Sequence, residues 1–160
     1  MSIRVTQRSQ MTTAERDEFI AFVRKAGEVD PATLPDLVER APALVTLHDG
    51  QTLIGTAAIK RPYDGHRRGE FEKAKVGELA DEYPLELGWV HVHSDHRGNG
   101  HGPALVAKAI AAVPGQRLYA TTKNDKMKPI LEAYAFAVQG DPYSSKEDST
   151  AKLTLFVRPA

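Results

Sequence analysis

The chain contains no cysteine among its 160 residues. It therefore holds neither a disulfide framework nor a thiol nucleophile, and an acyl-cysteine intermediate is excluded. A charge excess is missing as well, since 21 Lys and Arg meet 21 Asp and Glu. No global field gathers nucleic acid or an anionic membrane, so neither is expected as a partner. No apolar run approaches a membrane-spanning length, and the opening Met1-Ser2-Ile3-Arg4-Val5-Thr6-Gln7 lacks an apolar signal core. A cytoplasmic protein is expected. The length suits a single domain over residues 1–160 with a core that needs no disulfides, and leaves room for a homodimer.

What is present reads as alternating strands and helices. Residues 3–7 alternate as a short strand, and Thr12-x-x-Glu15 is a capping-box signal ahead of Phe19, Phe22, Val23 and Ala26. Asp30-Pro31 is expected to open a second helix that runs through Arg40 and stops at Pro42. Strand-like runs over residues 43–48 and 52–60 flank Asp49-Gly50, a hairpin signal that predicts antiparallel pairing. Residues 61–84 interleave Arg61, Arg67, Arg68, Lys73 and Lys75 with Glu70, Glu72, Glu78, Asp81 and Glu82. This insert reads as a solvated face with a short helix around residues 69–80. A strand at 85–93, an alanine-rich helix at 103–113, a strand at 118–122 and Met127, Ile130, Leu131 and Tyr134 at helical spacing follow. Residues 136–139 and 152–158 read as strands separated by a polar loop through Pro142, Ser144 and Ser145.

The chemistry concentrates after the strand at 85–93. Arg97, Gly98, Asn99, Gly100, His101 and Gly102 form a turn with glycine at alternate positions, where backbone amides can approach a ligand without a Cβ in the way. The unpaired amides of the helix that follows would meet an anion. Pro103 suits the first helical position, which needs no N–H. A dinucleotide fingerprint does not fit, because the third glycine arrives one residue early. The same stretch spells His91-x-His93-x-Asp95-His96, similar to the zinc signature of metallo-β-lactamase-fold hydrolases. That reading requires a further histidine well downstream, whereas the last one is His101, and no cysteine can replace it. No metal is expected.

Arg97-x-x-Gly100-x-Gly102, with Val92 five residues ahead of it, resembles the acyl-CoA pyrophosphate motif of the GNAT superfamily of N-acyltransferases. The order β-α-α-β-β-(insert)-β-α-β-α-β-β is also that of the GNAT fold, so the resemblance covers nearly the whole chain. A further match lies at residues 124–136, similar to that superfamily's Asn-x-x-Ala helix ending in Gly-Phe, with Met127 in the Ala position and Ala135 in the Gly position. The fold so implied is an α/β (α+β) domain with a central mixed, mostly antiparallel sheet flanked by helices and strands splayed around a cofactor cleft.

The resemblance implies an N-acetyltransferase that moves an acetyl group from acetyl-CoA to a primary amine, by direct attack in a ternary complex. Backbone groups of Val90 and Val92 would pair with the pantetheine arm, residues 97–102 would hold the pyrophosphate, and Asn124 would reach the pantetheine or the adjacent backbone. Preorganised amides near Val92 would stabilise the developing oxyanion. Glu86, six residues before Val92, stands at the offset where protein-acetylating members place a catalytic glutamate. The residues alone leave it open as a solvent-exposed strand start. His91 and His93, on the face opposite Val90 and Val92 by period two, are the other candidate bases. The family's usual tyrosine, seven residues after the asparagine, is Leu131 here. Tyr134 lies one turn further on and is either a substitute acid or core. The acceptor is a small-molecule or protein amine, with residues Glu70 and Glu72 of the insert expected to influence its choice. A CoA-binding module without turnover is the alternative from another class.

Overall fold

The computed structural model describes residues 1–145 and 150–160. Part of the loop expected before the last strand lies outside the described residues. The chain forms two compact units, Met1–Arg61 with Leu87–Pro114, and Pro62–Glu86 with Gly115–Ala160.

The first unit holds β1 (Ser2–Thr6), α1 (Thr13–Ala26), α2 (Leu34–Arg40), β2 (Ala43–Asp49), β3 (Thr52–Lys60), most of β4 (Leu85–Val92) and α4 (His101–Ala111). Its strand order is β1-β2-β3-β4, and β1 and β3 both pair antiparallel with β2. The hairpin is as expected, with Asp49 facing Thr52 across Gly50 and Gln51. The capping box forms: Thr12 Oγ1 accepts from the Glu15 amide at 3.1 Å, and Glu15 Oε1 accepts from the Thr12 amide at 2.9 Å. α1 then turns Phe19, Ile20 and Val23 inward, where they pack with Leu34 and Val38 of α2 and with Leu44, Ala58 and Trp89 of the sheet. Each such large apolar side chain contributes about 1.5–3 kcal/mol on burial. Phe19 meets Trp89 edge-on at 6.1 Å between centroids, a favoured aromatic geometry.

Two helix starts differ from expectation. α2 begins at Leu34, three residues after Pro31, because Asp30 Oδ1 accepts from the Ala32 amide and folds residues 30–33 into a turn. α4 begins at His101, so Pro103 is the third helical residue; that position also needs no intrahelical N–H, so proline still fits. The buried side of α4, Leu105, Val106 and Ala109, lies close on the sheet. A Cβ on Gly55 of β3 would stand 3.1 Å from Leu105 Cδ1 and 3.3 Å from the His91 carbonyl oxygen. Glycine at 55 thus sets how near the helix and its preceding turn sit to β3 and β4.

The second unit contains α3 (Asp64–Lys73), a 3-10 turn (Gly77–Glu82), Leu85 and Glu86 of β4, β5 (Leu118–Thr122), α5 (Met127–Ala133), β6 (Ala137–Val138), β7 (Tyr143–Ser144) and β8 (Lys152–Arg158). Leu85 and Glu86 pair parallel with Leu118 and Tyr119, and β5, β6 and β7 pair antiparallel with β8. The sheet is therefore mixed, as expected. Residues 61–84 are not a solvated insert around a helix at 69–80. The helix starts after Pro62 and Tyr63 and ends at Lys73, where Lys75 takes a φ of 69° and the Val76 amide donates back to the Phe71 oxygen at 2.9 Å. Phe71, Ala74 and Ala80 from this segment build a core with Tyr119, Tyr143, Leu155 and Val157.

Candidate active site

β4 delivers the site. Trp89, in the middle of the strand, has a φ of 51°, a conformation that costs a bulky residue energy and changes the direction of the backbone ahead of Val90 and Val92. Nothing in the sequence signals it. The His93 amide donates to the Ile54 oxygen at 2.7 Å and closes the pairing with β3. His93 then lies beyond the strand, not on its face: it opens the 3-10 turn Ser94–His96, with Nδ1 accepting from the Asp95 amide at 3.2 Å. His91 stays in the strand, half-buried. Burial lowers its pKa, helped by the nearby charges of Arg97 and Lys60 and opposed by Glu28. A neutral imidazole follows, able to accept a proton.

The turn after the strand is held in shape from both ends. Arg97 Nε donates to the Val92 carbonyl at 3.0 Å, and Asn99 Nδ2 donates to the His96 carbonyl at 3.4 Å. Gly98 and Gly100 have φ of 80° and 78°, and Gly100 is the residue ahead of the first turn of α4. Being glycine, it brings no side chain to cap that turn. The first amides of an 11-residue helix thus open onto residues 97–102, where the helix dipole and the N–H groups favour an anion. His101 Nε2 is buried without a hydrogen-bond partner, while the residue as a whole is half-exposed. Among the described residues no group of three or more His, Asp or Glu side chains is placed to hold a metal ion.

The remaining site residues lie in the second unit. Glu86 is not a solvent-exposed strand start: it is buried, and Tyr119 donates its hydroxyl to Glu86 Oε1 at 3.4 Å. Asn124 precedes α5 as a turn former; its Oδ1 accepts from the Lys126 amide at 2.9 Å and its own amide donates to Thr122 Oγ1 at 3.0 Å. Leu131 is fully buried. α5 ends at Ala133, and Tyr134 is the residue that caps it. It is half-buried, and its carbonyl accepts from Arg158 Nε at 2.8 Å. Ala135 has a φ of 70°, the conformation that a glycine at this place would take freely.

A group of buried polar residues escaped the sequence reading. On α3, Arg67, Glu70, Phe71 and Ala74 are all buried at helical spacing. Glu70 accepts a short hydrogen bond from the Tyr143 hydroxyl. Arg67 donates from Nε to the Ala80 carbonyl at 3.1 Å and pairs with Asp64 and Asp81. The spacing was a signal, masked by the charges that occupy half the stripe. Glu70 accordingly does not stand on the solvated face expected for residues 61–84.

The fold is thus of the α/β class, with a mixed sheet and a strand that runs through a positive-φ glycine turn into a helix without a side-chain cap. Residues 9–136 match the acetyltransferase (GNAT) family, and the chain belongs to that family of acyl-CoA N-acyltransferases. No curated protein matches it significantly. Similar solved structures include FeeM, an N-acyl amino acid synthase from uncultured soil microbes (TM-score 0.73, 15% identity, 99% of this chain and 90% of that one). An acyl-CoA N-acyltransferase from Pseudomonas aeruginosa is also similar (0.71, 13% identity, 98% of both chains). So is YncA from Salmonella typhimurium, solved with its cofactor acetyl-CoA (0.66, 17% identity, 99% of this chain and 93% of that one). These likenesses extend the GNAT-like fold over nearly the whole chain. No helix among the described residues is long and apolar enough to cross a membrane.

Proposed function

We propose that residues 1–160 act as one N-acetyltransferase domain that moves the acetyl group of acetyl-CoA to a primary amine of a small molecule or protein in a ternary complex. The observation that carries this reading is the uncapped start of α4 behind Gly98 and Gly100, with Arg97 folded back on Val92. Amides of Arg97, Gly98, Asn99, Gly100, His101 and Gly102 hold the pyrophosphate. The Val92 carbonyl already accepts from Arg97, so the amide is the group of Val92 assigned to the thioester oxygen, while the backbone of Val90 pairs with the pantetheine.

Transfer needs an unprotonated amine. Glu86 takes the proton as the amine nitrogen bonds to the acetyl carbon and the carbon–sulfur bond breaks; the hydrogen bond from the Tyr119 hydroxyl holds its side chain in one place. The departing thiolate takes a proton from the Tyr134 hydroxyl, since Leu131 occupies the family's tyrosine position. Asn124 shapes the turn ahead of α5 through its side-chain oxygen.

Calorimetric titration with acetyl-CoA, followed by thiol release with a panel of primary amines (L-lysine, spermidine, a short peptide with a free N-terminus), tests the assignment. Micromolar binding and amine-dependent thiol release are expected. Binding without release to any amine would instead favour a CoA-binding module, the reading that Leu131 supports.

A further inference from the structure

The second unit buries two carboxylates in one cluster. Glu70 and Glu86 are each 6% exposed, and each accepts a hydrogen bond from a buried tyrosine: Tyr143 on Glu70, Tyr119 on Glu86. Both phenols belong to the same apolar core with Phe71, whose ring meets Tyr119 at 5.2 Å. An acid left in such surroundings is costly unless it is bonded and has a use.

Glu70 gives the cluster a route outward. His66, one helical turn before Glu70, places Nε2 3.7 Å from Glu70 Oε1, and its side chain is 47% exposed against 8% for Glu70. Two hydrogen-bonded pairs, Tyr119 on Glu86 and Tyr143 on Glu70, thus share one core, and the second lies beside an imidazole that reaches the surface. Burial, then the charges of Glu86 and Glu70, raises the Tyr119 pKa well above its ordinary value. Burial, then the hydrogen bond it donates to Glu70, raises that of Tyr143. Each phenol feels both carboxylates, and each keeps its proton, so each can pass a proton only by accepting one as it gives up its own. The other charged groups here are Arg67, whose guanidinium opposes the rise at Tyr119, and its partners Asp64 and Asp81 at the surface.

We infer that Glu70, with Tyr143 and His66, is the exit through which the proton taken by Glu86 leaves for solvent. The inference rests on Glu86 as base. An ammonium that becomes an amide sheds two protons: one restores the Tyr134 hydroxyl that protonated the CoA thiolate, and the other must leave the protein. That second proton breaks from the amine nitrogen and bonds to the Glu86 carboxylate; Glu86 gives it to the Tyr119 oxygen as the Tyr119 hydroxyl proton passes to the Tyr143 oxygen, the Tyr143 proton passes to the Glu70 carboxylate, and Glu70 hands it to the His66 imidazole and so to water. Glu86 regains its charge for the next turnover. No electrons change hands. Glu70 is in this account a positioning and relay residue that never touches the substrates.

The test compares Glu70→Gln, His66→Ala and Glu86→Gln in thiol release with the amine panel, alongside acetyl-CoA calorimetry. Glu70→Gln should lower kcat about tenfold to a hundredfold with acetyl-CoA affinity unchanged, and imidazole or formate should restore it in a concentration-dependent way. His66→Ala, at an exposed side chain that leaves the core intact, should show a smaller loss that imidazole also repairs. A wild-type kcat in both variants, or losses that no buffer restores, would overturn the exit. An inactive Glu86→Gln beside a fully active Glu70→Gln would leave the base standing and remove the exit; an active Glu86→Gln removes both.

Discussion

Arg97 Nε donates to the Val92 carbonyl oxygen across 3.0 Å, so the residue that opens the glycine turn is tied to the last residue of the strand before it. The tie is exposed, which limits its worth for stability. Its effect lies in placing the amides of residues 97–102. Arg97→Ala should leave the melting temperature within a degree or two yet weaken acetyl-CoA about tenfold, the scale of one charge-assisted hydrogen bond. Calorimetry with thermal unfolding of the same sample checks both halves. Unchanged affinity would show that the turn keeps its shape without the arginine.

Gly100 has open space where a Cβ would go, since no protein atom comes within 4 Å, but its φ is 78°. Gly100→Val therefore adds strain of about 1–2 kcal/mol and no clash within the protein. Its β-branched side chain would stand where phosphate must approach backbone. A folded protein, slightly less stable and without measurable acetyl-CoA binding, is expected. Normal binding by the folded variant would refute the pyrophosphate assignment.

The extent of what could be read before the structure follows from how local each signal is. The Thr12 and Glu15 box, the Asp49-Gly50 hairpin and the glycine turn each depend on a few neighbouring residues, and all formed as read. α2 and α3 were misplaced where a local competitor decided: the Asp30 side chain bonding the Ala32 amide, and Lys75 adopting a positive φ. Burial of Glu70 is not legible, because charge in a sequence normally means water, and the sequence leaves Glu86 open between a base and an exposed strand start. Only the fold brings Tyr143, 73 residues away, to Glu70 and makes burial tolerable. The Trp89 conformation has no sequence signature at all.

Tyr143 satisfies a carboxylate that has little access to water, with 8% of the Glu70 side chain exposed. Tyr143→Phe keeps the ring in the apolar cluster and removes only the hydroxyl. The deleted donor leaves Glu70 short of a partner, a loss of about 1–3 kcal/mol. Urea unfolding should show a lower midpoint with an unchanged slope. Tyr143→Phe combined with Glu70→Leu should recover part of that loss, because removing both polar partners also removes the unsatisfied carboxylate.

His91 makes stability depend on pH in a calculable direction. Its pKa in the folded protein lies below the ordinary histidine value, chiefly because burial disfavours the charged ring. In the unfolded chain the ring protonates near its reference value of about 6.5. Between that value and the lower folded one, the unfolded state holds the extra proton, so stability is full above about pH 6.5 and falls as pH drops through the window. His91→Gln removes the titration and should flatten this part of the curve. Melting temperatures of the two proteins from pH 7.5 down to 5 provide the measurement, with the difference between them widening below neutrality in favour of the variant. A constant difference would mean that the imidazole is as well solvated folded as unfolded, and would withdraw it as a neutral proton acceptor on β4.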